Sequence, residues 1–246
     1  MDLILSDLHA NLHALRVVLR YARRRAVQRF VLLGALVGYG AHPNQVLDHL
    51  RALKPRVAIR GNHDRACSAD LVDPSFSTPA RGAAIWTRER LSRENLHFLQ
   101  ELPGGPLPVG EDYLIAHGSP HDEDGYLLHP RDALAAFEAF DGQLCFFGHT
   151  HLPGCYELDE SSDSLRWIPL DPGPWMELRP ECRYLVNPGS VGQPRDGDAR
   201  ASFALLDTRS RDVLIKRIEY PVECARDRIH AAGLPKALGN RLLLGR

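Results

Sequence analysis

The stretch "DLILSDLHANLHALRVVLRYARRRAVQRFVLLG", Asp2 to Gly34, decides the fold. Its opening DLILS is a short apolar run; Leu12, Leu15, Val18 and Leu19 then recur at helical spacing, and RFVLLG is a second apolar run ending at a glycine. A strand, a helix and a strand in that order make a parallel unit with a crossover helix. The pattern repeats, since NQVLDHLRAL after Pro43 is helical and RVAIRG reads as a third strand. The first sixty residues therefore predict a parallel α/β sheet with crossover helices.

Downstream, the segment from Pro79 to Glu101 predicts helices, and YLIAHG (Tyr113 to Gly118) and QLCFFGHTH (Gln143 to His151) predict strands on either side of a helical RDALAAFEAF. From Gly154 the texture changes to short strand-like runs, CYEL, LRWIPL, RYLVNPG, ASFALLD and DVLIKRIEY, which predict a second, largely antiparallel or mixed sheet. DESSDS, Asp159 to Ser164, reads as a hairpin tip. The stretch from Val222 to Arg246 predicts two short helices broken at Gly233 and Pro235, which either cover the sheet or dimerise. No linker is long enough to divide the chain, so residues 1–246 are expected to form one domain.

With 44% hydrophobic and 25% charged residues the composition is that of a globular protein with a sizeable core. Thirty Lys and Arg against 31 Asp and Glu leave a formal net charge of -1, so nothing global points to nucleic acid or to an anionic membrane. The run RYARRR, Arg20 to Arg25, reads as a solvated helix face, with binding of an acidic partner as the alternative. Five cysteines without a C-x-x-C pair fit neither a disulfide framework nor a structural zinc knuckle, and are expected to be reduced thiols of a cytoplasmic protein. The apolar runs are of strand length, so neither a signal peptide nor a membrane span is expected.

Polar residues gather where the predicted strands end, the place where ligands bind in open α/β sheets. SDLHAN brings Asp7 and His9, GNHD brings Asn62, His63 and Asp64, AHGSP brings His117, and GHTH brings His149 and His151. Each motif alone is weak. Together, imidazoles and carboxylates arriving from separate loops supply the mixed N/O donor set that Zn, Mn or Fe prefers, and residues two apart near a strand end face the same way. Asn62, an amide oxygen donor, leans the set towards Mn or Fe with Zn possible.

The order D-x-H, G-N-H-D, H-G and G-H-x-H resembles the calcineurin-like metallophosphoesterase superfamily, and the likeness covers nearly the whole chain. It is nearest to the bacterial branch grouped with diadenosine tetraphosphatases and serine/threonine protein phosphatases, on VGYG, AHGSP, GHTHLP and NPGSVGQPRDGDARASFALLD, Asn187 to Asp207. The resemblance implies a four-layer α/β/β/α sandwich, two mixed sheets face to face with helices outside, and two divalent metal ions at the sheet ends. Carried over position by position, Asp7, His9 and His151 would hold the first ion, and Asn62, His117 and His149 the second. His63 would sit by the substrate phosphate, with Asp64 either orienting it through a carboxylate hydrogen bond or forming a turn or helix cap. The implied activity is hydrolysis of phosphodiester or phosphomonoester bonds in a small phosphorylated or nucleotide substrate by a hydroxide activated between two metals.

One position departs from the pattern. The family's second motif is Gly-Asp with the carboxylate bridging both ions, whereas here Gly34 is followed by Ala35, and no Asp or Glu lies between Phe30 and Gln45. Three readings stand: an inactivating substitution in an otherwise working enzyme, a variant that still turns over slowly, and a non-catalytic phosphate- or nucleotide-binding protein that keeps one metal. Asn11 reads as a helix N-cap or as a substrate contact. Arg195 offers a planar fork for phosphate, or pairs with Asp196 or Asp198. His121, Asp122 and Asp124 follow the His117 loop and line the pocket, recruit a metal, or are simply solvated.

Overall fold

The computed structural model describes residues 1–69 and 73–246. Along the chain the elements are β1 (Asp2–Leu5), α1 (Leu12–Arg24), β2 (Arg29–Leu32), α2 (Pro43–Leu53), β3 (Val57–Ala58), α3 (Asn62–Ser68), α4 (Thr78–Arg88) and α5 (Arg93–Glu101). There follow β4 (Leu107–Val109), β5 (Tyr113–Ile115), α6 (Pro130–Glu138), β6 (Leu144–Phe146), β7 (Gly154–Asp159), β8 (Ser164–Pro169) and β9 (Met176–Glu177). The chain ends with β10 (Cys182–Asn187), β11 (Ala201–Asp207), β12 (Asp212–Ile218), α7 (Val222–Ala231), α8 (Lys236–Asn240) and a 3-10 turn at Arg241–Leu244. Two six-stranded sheets result, one in the order β3-β2-β1-β11-β12-β9 and the other β4-β5-β6-β10-β7-β8.

The layering follows from strands that are apolar on both faces. Side chains alternate across a strand, so Leu3 and Leu5 of β1, Phe30 and Leu32 of β2 and Phe203 and Leu205 of β11 join a core beneath the helices. Their neighbours Ile4, Val31, Ala204 and Leu206 point the other way and pack against Ile115, Phe146, Tyr184 and Val186 of the second sheet. The far face of that sheet, with Cys145 and Leu185, is covered by Ala133, Ala136 and Phe137 of α6. Helix, sheet, sheet and helix are thus stacked in four layers.

The strands after Gly154 do not form a sheet of their own. β11 and β12 extend the first sheet through an antiparallel β1–β11 pair that sets Asp2 opposite Leu206, while β7, β8 and β10 extend the second through a parallel β6–β10 pair. Both central strands have two buried faces, and the partner for each edge is set by tertiary packing, which periodicity does not encode. The third predicted strand shrinks to Val57–Ala58, and the GNHD segment opens a helix, α3. The short strands β4 and β9 carry no sequence signal. The C-terminal helices cover the first sheet, with Ala225, Ile229, Leu238 and Leu242 in its core. The arginine run ends α1 on its exposed side, where Arg23 and Arg24 complement the helix dipole. All five cysteines are free. Among the described residues no helix is long and apolar enough to cross a membrane.

The two sheets are tied at both ends of their strands. At the start of β1 the buried Asp2 accepts from Tyr113 Oη of the second sheet at 2.7 Å and from Arg56 at 3.0 Å. At the other end the loop after β10 lies on the loop after β1, with Val191 N–H on Ser6 O at 3.0 Å and Gly192 N–H on Asp7 O at 2.9 Å. A Cβ on Gly192 would stand 1.8 Å from Leu8 O. Gly192→Ala is therefore expected to cost about 3 kcal/mol, a fall in Tm of roughly 6–12 °C for a chain of this size, and a thermal melt checks it; an unchanged Tm would mean that the two loops are not held against each other.

Candidate metal centre

The carboxyl ends of the parallel strands β1, β2, β3, β5 and β6 deliver their loops to one edge of the sandwich, and there the backbone is unusual. Of eleven non-glycine residues with positive φ among those described, seven lie in these loops: Asp7, His9, Ala10, Ala35, Tyr39, His149 and His151. L-residues enter this region seldom, with Asp and His among the more tolerant, and such conformations persist only where neighbouring structure enforces them. Here loop-to-loop hydrogen bonds do so: Asp7 N–H to Gly34 O at 3.1 Å, His9 N–H to Ala35 O at 2.9 Å and Gly148 N–H to His117 O at 2.8 Å.

Asp7 is fully buried, and its two carboxylate oxygens differ. Oδ2 accepts from Ser6 Oγ at 2.6 Å and from the His149 backbone N–H at 3.0 Å. Oδ1 has no hydrogen-bond donor of good geometry and faces His151 Nε2 at 3.1 Å and His9 Nε2 at 3.7 Å. The two imidazole nitrogens are 3.2 Å apart, and the ligand atoms of all three residues lie within 4.8 Å of one another. His151 spends its Nδ1 hydrogen on the Gln193 carbonyl, so its Nε2 is a lone pair. Burial opposes ionisation of Asp7, yet the His151 and His9 rings beside it hold its carboxyl well below the usual carboxylate range. A cation between these atoms would meet one carboxylate oxygen and two imidazole nitrogens, and the residues fit it.

The second cluster makes the same case differently. His117 donates Nδ1–H to Leu33 O at 2.8 Å, which leaves Nε2 as a lone pair 3.1 Å from Asn62 Oδ1. Two acceptors facing each other in a largely buried place repel unless a positive charge stands between them. The His149 ring lies 5.0 Å from that of His117 and 3.9 Å from that of Tyr126. All six residues expected to hold metal are thus brought to one edge as two clusters.

His63 reaches the same edge, its ring 4.2 Å from Tyr39, 4.8 Å from His9 and 5.1 Å from Phe76. Burial, with His9 and His151 nearby, pushes it well below the ordinary imidazole range, so the ring is neutral. Its Nδ1 has no partner and lies where a Cβ on Gly38 would come within 2.6 Å, and Gly38 has φ of +87°. Asp64 does not accept a hydrogen bond from His63, the first of its two expected uses. Asp64 Oδ1 instead accepts the N–H groups of Leu36 and Val37 at 2.8 and 3.1 Å, and Oδ2 accepts that of Gly61 at 2.9 Å. Its carboxylate caps α3 and pins the loop after β2, because three buried backbone donors there have no other partner.

Ala35 sits between the two clusters. It is fully buried, its carbonyl is held by His9 N–H, and Gly61 approaches so closely that a Cβ there would lie 2.4 Å from Ala35 N and 2.7 Å from His117 Nε2. Its φ of 49° is one that Asp adopts more readily than Ala.

Asn11 is the N-cap of α1: Oδ1 accepts from Ala14 N–H at 3.1 Å, and Nδ2 donates to Gly192 O at 2.9 Å and Tyr220 Oη at 3.2 Å. Both amide hydrogens are spent, so of its two expected uses, helix N-cap and substrate contact, the cap is the one this fold makes. Arg195 lines a cleft of about 580 Å³ together with His63, Asn62 and His149. Asp196 and Asp198 pair with Arg217 and Arg200 rather than with Arg195. Asp124 lines the same cleft but is paired with Arg65, while His121 and Asp122 border a separate hollow. Gln193, Tyr39 and Arg241 belong to the site without having been expected. Gln193 and Tyr39 lie inside motifs that the sequence marks, VGYG and SVGQPR, whereas Arg241 comes from the end of the chain with no local signal.

A family model described as the calcineurin-like phosphoesterase superfamily domain matches residues 1–211. An uncharacterized protein of Methanocaldococcus jannaschii is 35% identical over 252 residues, covering all of this chain and 98% of that one. Among solved structures, a metallophosphoesterase from Sphaerobacter thermophilus superposes with a TM-score of 0.89 at 40% identity over all of this chain and 98% of that one. A hypothetical protein from Pyrococcus horikoshii OT3 shares the fold, with a TM-score of 0.80 at 21% identity, over all of this chain and 99% of that one.

Burial pushes His9 and His149 down to about 3, so without metal the unfolded chain binds more protons than the folded one between there and the ordinary value of 6.5. Stability from these histidines is complete above pH 6.5 and is lost as pH falls, by about 1.4 kcal/mol per pH unit for each. Asp64, pushed up to about 6 by burial, acts in the opposite sense between 3.8 and 6 and cancels one of them. The Tm of the metal-free chain is expected to fall by at least about 5 °C between pH 6.5 and 5, and a flat profile in that window would contradict a buried neutral histidine cluster.

Proposed function

The chain belongs to the calcineurin-like phosphoesterase superfamily, and on that premise we propose that it is a metal-dependent hydrolase of phosphodiester or phosphomonoester bonds in small phosphorylated or nucleotide substrates. The observation that carries the reading is the pair of ligand clusters, with unpartnered acceptors turned inward, at the floor of a cleft that also holds His63 and Arg195. Asp7, His9 and His151 would hold one divalent ion and Asn62, His117 and His149 the other, with Mn, Fe or Zn as the ions. When bound, such ions act as Lewis acids that lower the pKa of water and neutralise phosphate oxygens. Hydrolysis adds water across the ester bond, phosphorus keeping the new hydroxyl and the leaving oxygen taking the proton.

The chain's own groups do the positioning. Neutral His63 donates a ring N–H to a phosphate or leaving oxygen, a hydrogen bond rather than a proton, and it is aimed by Tyr39, Phe76 and the absent side chain of Gly38. Arg195 lines the same cleft as His63 and offers its guanidinium to an anionic group of the substrate. Seven ordered left-handed residues keep the loops in place before substrate arrives, which is the preorganisation this chemistry requires.

Ala35 favours a second reading. A fully buried methyl where the pattern has a shared carboxylate leaves Asp7 as the only anionic ligand for two dications. That weakens at least one metal site and control of the metal separation, about 3.5 to 4 Å in two-ion enzymes. The chain is then a slow enzyme, or a phosphate- or nucleotide-binding protein without turnover. Metal content and hydrolysis of a chromogenic phosphodiester with added Mn, on this chain and on Ala35→Asp, separate the two. The enzyme reading expects Ala35→Asp to hold about two ions and to be faster by a factor of ~100 or more. Activity of Ala35→Asp no higher than that of a His63→Ala control would leave only the binding reading.

A further inference from the structure

Two arginines in the cleft lack the partners that arginines in a half-buried setting ordinarily find. Arg195, from the loop after β10, and Arg241, from the C-terminal 3-10 turn, both donate to the same atom, Gln193 Oε1, at 3.4 and 2.6 Å. Neither has a carboxylate partner among the described residues, and Arg241 Nε is buried without an acceptor. The acids nearby are already engaged: Asp196 and Asp198 by Arg217 and Arg200, and Asp124 by Arg65. Two guanidinium groups sharing one neutral acceptor repel each other, and burial together with Arg195 lowers the pKa of Arg241. An anion between them relieves that repulsion and satisfies the free N–H groups.

Their place relative to the metal centre is set by two links. Gln193 holds both arginines with its side chain and His151 with its carbonyl. The Arg241 guanidinium lies over the Tyr39 ring at 4.4 Å, and that ring also neighbours His9 at 4.6 Å and His63 at 4.2 Å. Arg241 and Arg195 therefore line the same cleft as His63, and Arg241 is linked through a shared tyrosine ring to the groups that would meet the reacting phosphate. We propose that Arg195 and Arg241 form a second anion subsite, which takes a further phosphoryl group of the substrate. The substrates are then esters or anhydrides bearing two or more phosphoryl groups, a class that includes nucleoside polyphosphates. This rests on the phosphoesterase reading for the identity of the neighbouring site, but the subsite binds an anion whether or not the bond is cleaved.

Calorimetry on the full chain, with the same excess of Mn in cell and syringe, tests it with methylenediphosphonate and methylphosphonate as two- and one-phosphoryl probes. The diphosphonate is expected to bind at least about tenfold more tightly, the effect of one or two additional charge-assisted hydrogen bonds. Arg241→Gln is expected to remove most of that preference while weakening methylphosphonate much less, and Arg195→Gln supplies the same test from the other side of Gln193 should the first variant fold poorly. Equal binding of the two probes, or equal weakening of both by each variant, overturns the subsite, the latter because it assigns the arginines to the reacting phosphate. A preference that depends on the arginines, in a chain for which neither it nor Ala35→Asp hydrolyses any ester, upholds the subsite and rejects the hydrolase.

Discussion

Everything at the mouth of the two sheets depends on how Asp7 is held. Its backbone and one carboxylate oxygen are consumed by structure: the N–H on Gly34 O, the carbonyl under Ser190 Oγ and Gly192 N–H, and Oδ2 under Ser6 Oγ and His149 N–H. Four segments, after β1, β2, β6 and β10, are joined through this one residue. Oδ1 is what remains, aimed at two imidazole nitrogens. A buried carboxylate costs several kcal/mol unless it is paired and hydrogen-bonded; here Ser6 Oγ and His149 N–H offset part of that cost at Oδ2, and Oδ1 is left facing the imidazole nitrogens without a donor, as a cation site requires.

The second cluster obeys the same logic through orientation of its ligands. His117 and His151 each give one ring N–H to a backbone carbonyl, Leu33 and Gln193, which fixes the tautomer and turns the lone pair inward. Asp64 acts at one remove, tying the N–H groups of Gly61, Leu36 and Val37 so that Asn62 and Ala35 hold their positions. Glycines 34, 38 and 61 permit these loops to touch, because a Cβ at any of them would strike backbone or an imidazole. Rigidity is thus built around Ala35, whose carbonyl is held by His9 N–H and whose N is closely approached by Gly61.

Most strands were legible in the sequence as short apolar runs, and the longer helices by their 3.6 period, because both are local properties of the chain; β4, β9 and α3 were not. The six candidate ligand positions could be named from the sequence, since each lies shortly after an apolar run, where a sheet presents its loops. Alternatives stayed open where a residue has two chemically sensible uses. Asp64 could orient His63 or cap a helix and Asn11 could meet substrate or cap a helix, and the count of unsatisfied N–H groups, visible only in the folded chain, shows the backbone taking both.

By itself the sequence determined the α/β class, the order of the Asp-, Asn- and His-bearing motifs and the absence of an acid after Gly34, all properties of residue type and spacing, while the four-layer arrangement followed from the family resemblance. Only the tertiary structure decided which sheet each late strand joins, that Asp64 serves the loops rather than His63, and that Arg241 stands beside Arg195 over a shared glutamine. The reason is physical: pairing of sheet edges and sharing of buried donors depend on contacts between segments far apart in the chain, and no local pattern records which partner fills the last free valence.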